Sequence, residues 1–421
     1  ACLSLSFGCD DNDSSDVSDA DVIVDADETD GDASVDAEVE LDAEVDADFD
    51  GPPCAVPVAF PAMRDALHPL DGQMFFPIFL EGATEPSNFV IDTGARGTVL
   101  SDDIESRSFG GRSVVTMDFG LDYVLEDVVI SHRDIASASN YIGYRLDGLL
   151  GQDLVNTHYF GLDYRWVQVT LAPGIPTEPP PGFDTAEAID LPYELDTGIS
   201  IVEVDIAGSS ARLIVDTGSG VTVITESFLP VELSDRGFTG YRWSTNYGSD
   251  VARVLRFPEL DLGGHAVRDS WVIVVPDAHH LAGLLGAMDI DADGFIGYPV
   301  YRRFFVSVIG CESRFELWPY ENLDHIDVHE WDRVGLGLRR EGDQTLVDMV
   351  FSESDAAAQG VQIDDELLAV DGIDCSTGNL DDVRASLMGT PSDTRTLTLN
   401  REGASFDLTL SIDRLLPPLA L

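Results

Sequence analysis

The chain has 421 residues, enough for two or three domains, and a formal net charge of −55 at pH 7. An acidic excess of this size repels nucleic acid and anionic lipid surfaces, so we expect no nucleic-acid partner. Hydrophobic residues make up 44% of the chain, an ordinary share for a protein with a folded core. No apolar run reaches the roughly 18 residues of a membrane-spanning helix.

The first nine residues, Ala1–Cys9, combine small and apolar side chains with two cysteines. This pattern resembles the end of a bacterial lipoprotein signal peptide, with Cys9 as the candidate for lipidation and Cys2 as the alternative. A truncated ordinary secretion signal would have a similar composition. We therefore expect an exported protein, either lipid-anchored in the cell envelope (periplasm or outer membrane) or extracellular.

An acidic linker is predicted for residues 10–53. Asp10–Asp50 is rich in Asp, Glu, Ala and Val and has no basic residue. Low hydrophobicity and high like charge keep such a segment extended and disordered. It would serve as a spacer between an anchor and the folded body.

Two similar units follow, at residues 54–173 and 195–320, joined by a linker at 174–194 that begins with a Pro- and Gly-rich stretch. Each unit opens with a short β-type run, at 74–81 in the first and 199–206 in the second. Each closes with alternating β-type sequence, at 160–171 and 304–318. Short strands separated by turn signals predict an all-β structure for both units.

The tripeptide Asp-Thr-Gly occurs once in each unit, at Asp92 and at Asp216. In both places three apolar residues precede the aspartate and a second β-rich run follows the glycine. Two carboxyl groups that lie about 3 Å apart cannot both ionise, so they share one proton. One can then act as a base toward water while the other acts as an acid toward a carbonyl. A duplicated unit provides the two-fold symmetry that this arrangement needs.

A second repeated element is Gly-Leu-Leu-Gly, found at 148–151 in the first unit and at 283–286 in the second. Together with the Asp-Thr-Gly motifs, it makes residues 74–320 resemble an aspartic peptidase built from two retropepsin-like modules in tandem. The resemblance implies that Asp92 and Asp216 form the catalytic dyad, and that the Gly-Leu-Leu-Gly elements are strands packed behind the active-site loops. The residues that it assigns to support of those loops are Thr93, Gly94, Thr217, Gly218 and Ser219. Of the residues after the motif, only Ser219, and not Ala95, has a hydroxyl to donate to its carboxylate.

The resemblance also implies β-hairpin flaps over the cleft. The candidates are residues 114–128 and 241–254, in which Tyr123 and Tyr247 each lie 31 residues after their aspartate. Both tyrosines are candidates for lining the cleft. Tyrosine is also common in ordinary strands, so this remains one of two interpretations.

Residues 328–415 differ in character from the two units. They contain a glycine-rich loop at Gly335-Leu336-Gly337-Leu338, a short helix capped by Ser354 or Asp355, and a strand that ends in an Asp-Gly turn. These three features in this order resemble a PDZ domain of the bacterial protease-associated kind. Backbone N–H groups of such a loop bind a terminal carboxylate, and the strand pairs with an extended peptide. The predicted binding edge is 336–340.

Weaker patterns suggest metal sites and a disulfide. Asp289, Asp291 and Asp293 match the start of a calcium loop, but its closing glutamate is missing, and a solvated acidic loop is the alternative. The pairs His279-His280 and His325/His329 lack a third ligand nearby, so no metal is assigned. In an exported protein Cys54 and Cys311 are candidates for a disulfide, and Cys375 for a lone thiol.

The sequence therefore predicts a mostly β protein. It consists of a two-lobed acid-protease β-barrel body, which is a pseudo-dimer within one chain, and a C-terminal PDZ β-sandwich with short helices. We expect a monomeric aspartic endopeptidase without a cofactor. Its partners would be a peptide or protein substrate and a C-terminal or extended peptide at the PDZ domain. The alternatives are a catalytically silent peptide-binding or scaffold protein of the cell envelope, and units that pair with another chain.

Overall fold

A computed structural model describes residues 57–67, 72–104, 107–109, 112–120, 123–133, 135, 139–140, 142–184, 187–206, 208–233, 236–245, 248–276, 280–287, 289–326 and 329–419. Several sequence predictions lie outside these residues: the signal remnant with Cys2 and Cys9, the acidic linker, Cys54, Tyr247 and His279. Cys311 is disulfide-bonded. Its expected partner, Cys54, lies outside the described residues. No helix in the described ranges has the length and apolar character needed to cross a membrane.

The described part of the first lobe consists of short strands, helical residues at 139–140 and 142, and a helical turn at Gln152–Val155. Its elements are β1 Arg64–Asp65, β2 Phe75–Leu80, β3 Ser87–Ile91, β4 Val99–Ser101, β5 Arg107–Phe109, β6 Arg112–Asp118, β7 Val124–Arg133, β8 Gly148–Leu150, α1 Gln152–Val155, β9 Tyr159–Asp163 and β10 Gln168–Ala172.

The second lobe has the same plan with longer strands. Its elements are β11 Ile189–Pro192, β12 Glu194–Asp196, β13 Ile199–Ile206, β14 Ser209–Val215, β15 Val223–Thr225, β16 Phe238–Thr245, β17 Gly248–Leu262, β18 His265–Val275, α2 His280–Ala287, β19 Gly294–Ile296, α3 Tyr298–Tyr301, β20 Phe304–Ile309 and β21 Arg314–Pro319, with 3₁₀ turns at Glu226–Phe228, Val231–Leu233 and Gly310–Glu312.

The sheets of the two lobes have equivalent strand orders. The first sheet runs β2-β3-β8-β4-β7-β6-β5, and the second β12-β13-β14-β19-β15-β18-β17-β16. In each lobe the strand before the Asp-Thr-Gly loop pairs in parallel with a strand from much later in the chain, β3 with β8 and β14 with β19. The repeat in the sequence is therefore also a repeat of topology.

A third sheet joins the lobes, with the order β1-β10-β9-β20-β21-β11. Its centre is the antiparallel pair of β9 from the first lobe and β20 from the second, with Gly161 opposite Ser307. Equivalent strands that pair antiparallel at the centre of a sheet place a pseudo-two-fold axis there. This axis relates the two Asp-Thr-Gly loops. The predicted linker contributes β11 to one edge of the sheet.

The main hydrophobic core is continuous between the lobes, because side chains of both pack over the joining sheet. Phe160 and Leu162 of β9 and Phe304 and Val306 of β20 belong to the same buried cluster. Full burial of such a side chain contributes about 1.5–3 kcal/mol to stability. The contact between the two lobes therefore contributes to the stability of the folded body.

The C-terminal domain is a sheet with two short helices and a separate core. Its elements are β22 Asp332–Arg333, β23 Leu336–Glu341, β24 Gln344–Val350, α4 Asp355–Ala358, β25 Glu366–Val370, β26 Ile373–Asp374, α5 Leu380–Ser386, β27 Thr394–Arg401, β28 Ala404–Ser411 and β29 Asp413–Arg414. The sheet order is β23-β24-β25-β27-β28, so β23 is an edge strand. Ser354 caps α4, since its hydroxyl accepts the N–H of Ala357.

Candidate active site

The two Asp-Thr-Gly segments are tight turns that follow β3 and β14. The backbone N–H of Asp92 donates to the carbonyl of Leu150 at 3.0 Å. The N–H of Asp216 donates to the carbonyl of Ile296, also at 3.0 Å. Because these acceptors are the last residues of β8 and β19, equivalent pairs of parallel strands position the two aspartates.

The threonines of the two motifs bind each other's loops reciprocally. The Thr93 hydroxyl donates to the carbonyl of Val215 at 2.6 Å and accepts the N–H of Thr217 at 3.0 Å. The Thr217 hydroxyl donates to the carbonyl of Ile91 at 2.6 Å and accepts the N–H of Thr93 at 3.2 Å. Four buried hydrogen bonds therefore join residues more than 120 positions apart, and they set the distance between the two loops.

The glycines of the two motifs allow the carboxylates to approach each other. Gly94 N–H donates to Asp92 Oδ1, and Gly218 N–H donates to Asp216 Oδ1, both at 2.9 Å. A Cβ on Gly94 would lie 2.8 Å from Asp216 Cγ, and one on Gly218 would lie 2.7 Å from Asp92 Cγ. Any larger residue at either position would collide with the opposite carboxylate.

The carboxylates are buried, with Asp92 at 1% and Asp216 at 0% relative exposure. Burial raises the pKa of Asp92 to about 6. Burial, followed by the charge of Asp92, raises the pKa of Asp216 well above its usual value. The Oδ2 atoms receive no hydrogen bond from a protein donor in the described part of the chain. A proton shared by the pair relieves both the desolvation and the repulsion.

Gln152 is a supporting residue that the sequence reasoning missed. Its Nε2 donates to the carbonyl of Thr93 at 2.6 Å and to the hydroxyl of Ser200 at 2.7 Å. The amide therefore connects the first active-site loop to β13 of the other lobe. Its position directly after Gly151, which ends the Gly-Leu-Leu-Gly element, was the available signal. In the second lobe Tyr298 has the equivalent position.

The second Gly-Leu-Leu-Gly element was assigned wrongly. Residues 283–286 lie in α2, while the strand that pairs with β14 behind the active-site loop is β19. The functional counterpart of Gly151 is therefore Gly297: the N–H of each donates to a threonine hydroxyl, at 3.2 and 3.1 Å. A short apolar run does not distinguish a buried strand from a helix, which explains the error.

The two candidate glycines allow a direct test of this assignment. A Cβ on Gly297 would lie 2.0 Å from the carbonyl oxygen of Val221, whereas a Cβ on Gly286 meets nothing within 4 Å. We expect Gly297→Ala to lower the unfolding free energy by about 3 kcal/mol or more and to impair the site. The matched Gly286→Ala change should be neutral or stabilising by up to about 1 kcal/mol, because alanine favours helices. Urea denaturation measures the unfolding free energy of both variants. A larger loss in Gly286→Ala than in Gly297→Ala would restore the original assignment.

The flap candidates occupy different hairpins in the two lobes. Residues 241–254 span the turn between β16 and β17, whereas 114–128 span the turn between β6 and β7. The topological counterpart of β16–β17 in the first lobe is the β5–β6 hairpin, in which Arg107 lies opposite Val114. The topology therefore moves the first-lobe flap candidate to that hairpin.

Tyr123 lies at the β6–β7 turn and contacts the core. Its hydroxyl is 2.8 Å from His158 Nε2, and its ring lies 6.2 Å from that of Phe119. Asp118, the last residue of β6, pairs with Phe79 of β2. The opposite end of β2 is the one that lies beside Val90 and hence near Asp92. The position of Tyr123 therefore does not support a role in lining the cleft.

The hydroxyl of Ser219 donates to the carbonyl of Val221 at 2.8 Å and so stabilises its own loop. The predicted calcium residues do not converge: within the described ranges no group of three or more His, Cys, Asp or Glu side chains forms a metal site. Asp293 instead accepts the N–H of Arg212 at 2.8 Å. His325 Nε2 lies 2.6 Å from the carbonyl of Arg302, and His329 Nδ1 lies 3.0 Å from Asp332.

The glycine-rich loop of the C-terminal domain leads into its edge strand. Gly335 adopts a φ of 84° at the start of β23, and the predicted binding residues Leu336, Gly337 and Leu338 line a cavity of about 360 Å³. Residues of both lobes, among them Tyr164 and Gly220, also line it. The cavity therefore lies between the C-terminal domain and the two lobes.

Comparison with known proteins gives one sequence match. The family model described as aspartyl protease matches residues 202–290, which include Asp216 but not Asp92. No curated protein matches the chain. The match supports an aspartic-peptidase type of fold and a protease-type function for a chain that is mostly β.

Solved structures that match part of the chain include the aspartic proteinase from Irpex lacteus, with 14% identity and a TM-score of 0.41 over 62% of this chain and 99% of that one. Another is the photosystem II D1 C-terminal processing protease, with 24% identity and a TM-score of 0.19 over 20% of this chain and 23% of that one.

Proposed function

We propose that the protein is an aspartic endopeptidase that hydrolyses peptide bonds with a water molecule activated by Asp92 and Asp216. The observation that carries this proposal is the pair of buried carboxylates brought face to face by reciprocal threonine contacts. The raised pKa of Asp92, with burial as its main cause, favours a singly protonated pair near neutral or mildly acidic pH.

With one shared proton, the two carboxyl groups perform complementary roles. The ionised group takes a proton from water as the water oxygen bonds to the substrate carbonyl carbon. The protonated group donates to the carbonyl oxygen, which stabilises the developing charge. When the C–N bond breaks, the protonated carboxyl group gives its proton to the leaving nitrogen, and the other carboxylate takes a proton from a hydroxyl of the tetrahedral intermediate as the carbonyl re-forms. The first arrangement is restored, so no cofactor is needed.

We further propose that the C-terminal domain binds an extended peptide with a free carboxyl end. Support comes from its edge strand β23 and from the cavity beside it. Addition of a strand to a sheet edge gives affinity through main-chain hydrogen bonds, and the adjoining pocket selects side chains. Such binding would tether substrates or regulate the cleft.

The test is incubation of the full chain with a peptide library between about pH 4 and 8, the range in which the raised dyad pKa values would act. We expect internal cleavage, and tight binding of a peptide that contains a hydroxyethylene group in place of the scissile bond. Asp216→Asn should lose both. Absence of cleavage and of inhibitor binding, with peptide binding to the C-terminal domain retained, would favour the silent binding protein instead.

A further inference from the structure

The free edge of the C-terminal sheet is already in contact with an arginine of the same domain. Arg384, on α5, donates from its guanidinium to the carbonyl of Leu338 at 2.9 Å. This carbonyl faces α5 and not β24, so it belongs to the edge that an added strand would use. Pairing of a peptide at this position therefore competes with the hydrogen bond from Arg384.

The same arginine also contacts the first lobe. Its other terminal nitrogen donates to the carbonyl of Ile142 at 3.1 Å and to Asp381 at 3.2 Å. The Arg384 side chain is only 11% exposed. One buried cation therefore links the peptide edge of the C-terminal domain to the first lobe.

Neighbouring contacts strengthen this junction. Asn379 Nδ2 donates to the hydroxyl of Tyr144 at 2.8 Å. Gly143, with a φ of 87°, packs so closely on Leu380 that a Cβ would lie 2.9 Å from that side chain. The 142–144 segment of the first lobe is thus seated on the N-terminal part of α5.

This segment leads directly to the active-site loop. It runs into β8, which pairs with β3, the strand that ends at Asp92. Asp147, just before β8, accepts the N–H of Asn88 in β3 at 2.7 Å. A shift of 142–144 therefore acts on the two strands that hold the first catalytic loop.

The second lobe contacts the same domain through β16. Phe238 of β16 lies 4.8 Å from the ring of Phe351, and Thr239 exchanges two hydrogen bonds with Ser352, at 2.7 and 2.8 Å. Arg242 lies 3.6 Å from Asp348 of β24. The C-terminal domain therefore contacts one segment of each lobe, 142–144 in the first and β16 in the second.

We propose that Arg384 is a latch: it keeps the peptide edge of the C-terminal domain closed, and a peptide that pairs with β23 displaces it and releases 142–144 of the first lobe. Occupation of the C-terminal domain would then change the active site through β8 and β3. The regulatory part rests on the proposed function, whereas the latch itself concerns peptide binding alone.

The ligand class follows from the walls of the cavity next to β23. Leu336, Leu338, Leu387 and Met388 provide apolar surface. The arginines of the lining outnumber its acidic residues: Arg165, Arg302, Arg333 and Arg384 against Glu330 and Asp348. This combination suits a peptide with an apolar terminal residue and a free carboxylate. The cavity volume of about 360 Å³ is within the usual range for ligand pockets, about 300–1,000 Å³.

The binding test uses the full chain with both Asp92 and Asp216 changed to asparagine, so that no probe is cleaved. The probes are fluorescein-labelled hexapeptides ending in leucine, valine or phenylalanine, with free or amidated C-termini. Arg384→Ala should bind the free-carboxylate peptides about tenfold more tightly, because the competing charged hydrogen bond is absent. Arg384→Gln serves as a second variant should the alanine protein fail to fold.

The matched control is Arg395→Ala. Arg395 also donates to carbonyls at the end of α5, those of Ser386 and Met388, at 2.7 and 2.6 Å. Its contacts are with Ser386, Met388 and Asp371, outside β23 and the first lobe, so the affinity of the Arg395→Ala protein should stay within about twofold of the parent. Equal affinities of the Arg384→Ala protein and the parent, or no binding by either Arg384 variant, would overturn the latch.

Hydrogen exchange and kinetics separate the two parts of the proposal. Peptide should accelerate amide exchange at 142–144 in the parent, and Arg384→Ala should show the faster exchange without peptide.

In the active protein, peptide should change kcat/KM, while the kcat/KM of Arg384→Ala should no longer respond to peptide. A protein without hydrolysis but with these binding and exchange results would refute the proposed enzyme and keep the latch. Unchanged exchange at 142–144 would refute the latch.

Discussion

Replacement of both Asp92 and Asp216 by asparagine is expected to abolish peptide hydrolysis and, at the same time, to make the folded protein more stable at pH 8. Loss of the acid and the base should lower kcat/KM by about 10³-fold or more. An unfolded aspartate has a pKa of about 3.9. Burial raises the pKa of Asp92 to about 6, and that of Asp216 is raised as well.

The direction of the stability change follows from these raised pKa values. The folded protein binds the dyad protons more tightly than the unfolded chain does, so the stabilisation from protonation is complete below about pH 4 and is lost as the pH rises through the folded pKa values. Asparagine cannot ionise and avoids this loss. The gain at pH 8 should be on the order of 3 kcal/mol, from the roughly two-unit shift of Asp92.

Urea denaturation at pH 4 and pH 8 measures this effect, with Asp343→Asn as the control because Asp343 is exposed in a surface turn. The difference between the double variant and the parent should shrink toward zero at pH 4. A double variant that is less stable than the parent at pH 8 would contradict the buried, proton-sharing pair. Retained hydrolysis would contradict the catalytic role.

The second large effect is expected at the threonine contacts beneath the dyad. Thr217→Val removes a hydroxyl that donates to the carbonyl of Ile91 and accepts the N–H of Thr93. Two buried backbone groups then lack partners, which should cost about 2–5 kcal/mol of unfolding free energy. The dyad distance is no longer held, so kcat/KM should fall by at least about tenfold.

Thr170→Val is the matched control for this change. Thr170 is also buried and donates to the carbonyl of Ala62 at 2.7 Å, but it lies in the sheet that joins the lobes. Its loss should cost about 1 kcal/mol and leave kcat/KM unchanged. Similar effects of the two variants on kcat/KM would show that Thr217 has no special role in positioning the dyad.

The features that could be predicted from the sequence are those formed by residues adjacent to one another in the chain. Each Asp-Thr-Gly loop carries its carboxylate, hydroxyl and glycine within three positions, and the apolar run before it identifies the strand. The cap of α4 at Ser354 belongs to the same class. These features depend on local conformation and on side-chain chemistry, both of which the sequence contains directly.

The errors arose where the partner of a segment is distant in the chain. Residues 283–286 have the composition of β8, yet β19 and not this segment pairs with β14. The first residue of β19, Gly294, directly follows the aspartates that were weighed as a calcium loop or a solvated acidic loop. Gly294 is required there because a Cβ would lie 2.1 Å from the carbonyl of Val223. No feature within 283–286 contains this information.

The flap candidates of the two lobes lie in different hairpins for a similar reason. Equal spacing of Tyr123 and Tyr247 from their aspartates suggested equivalent hairpins, but the second lobe has longer strands before the equivalent turn. Spacing along the chain is a poor guide when two related lobes differ in strand length. The order of strands in the sheet is the better guide.

The sequence by itself therefore determined the chemistry of the candidate site: two carboxylates on tight glycine turns within a duplicated β-rich unit. The tertiary structure decided which strand supports each loop, which hairpin lies at the flap position, and how Gln152 and Arg384 connect separate parts of the molecule. The physical reason is the separation along the chain of the residues that interact. Turns and caps are specified by neighbouring residues, whereas strand partners and domain contacts depend on packing between segments that are distant in the chain.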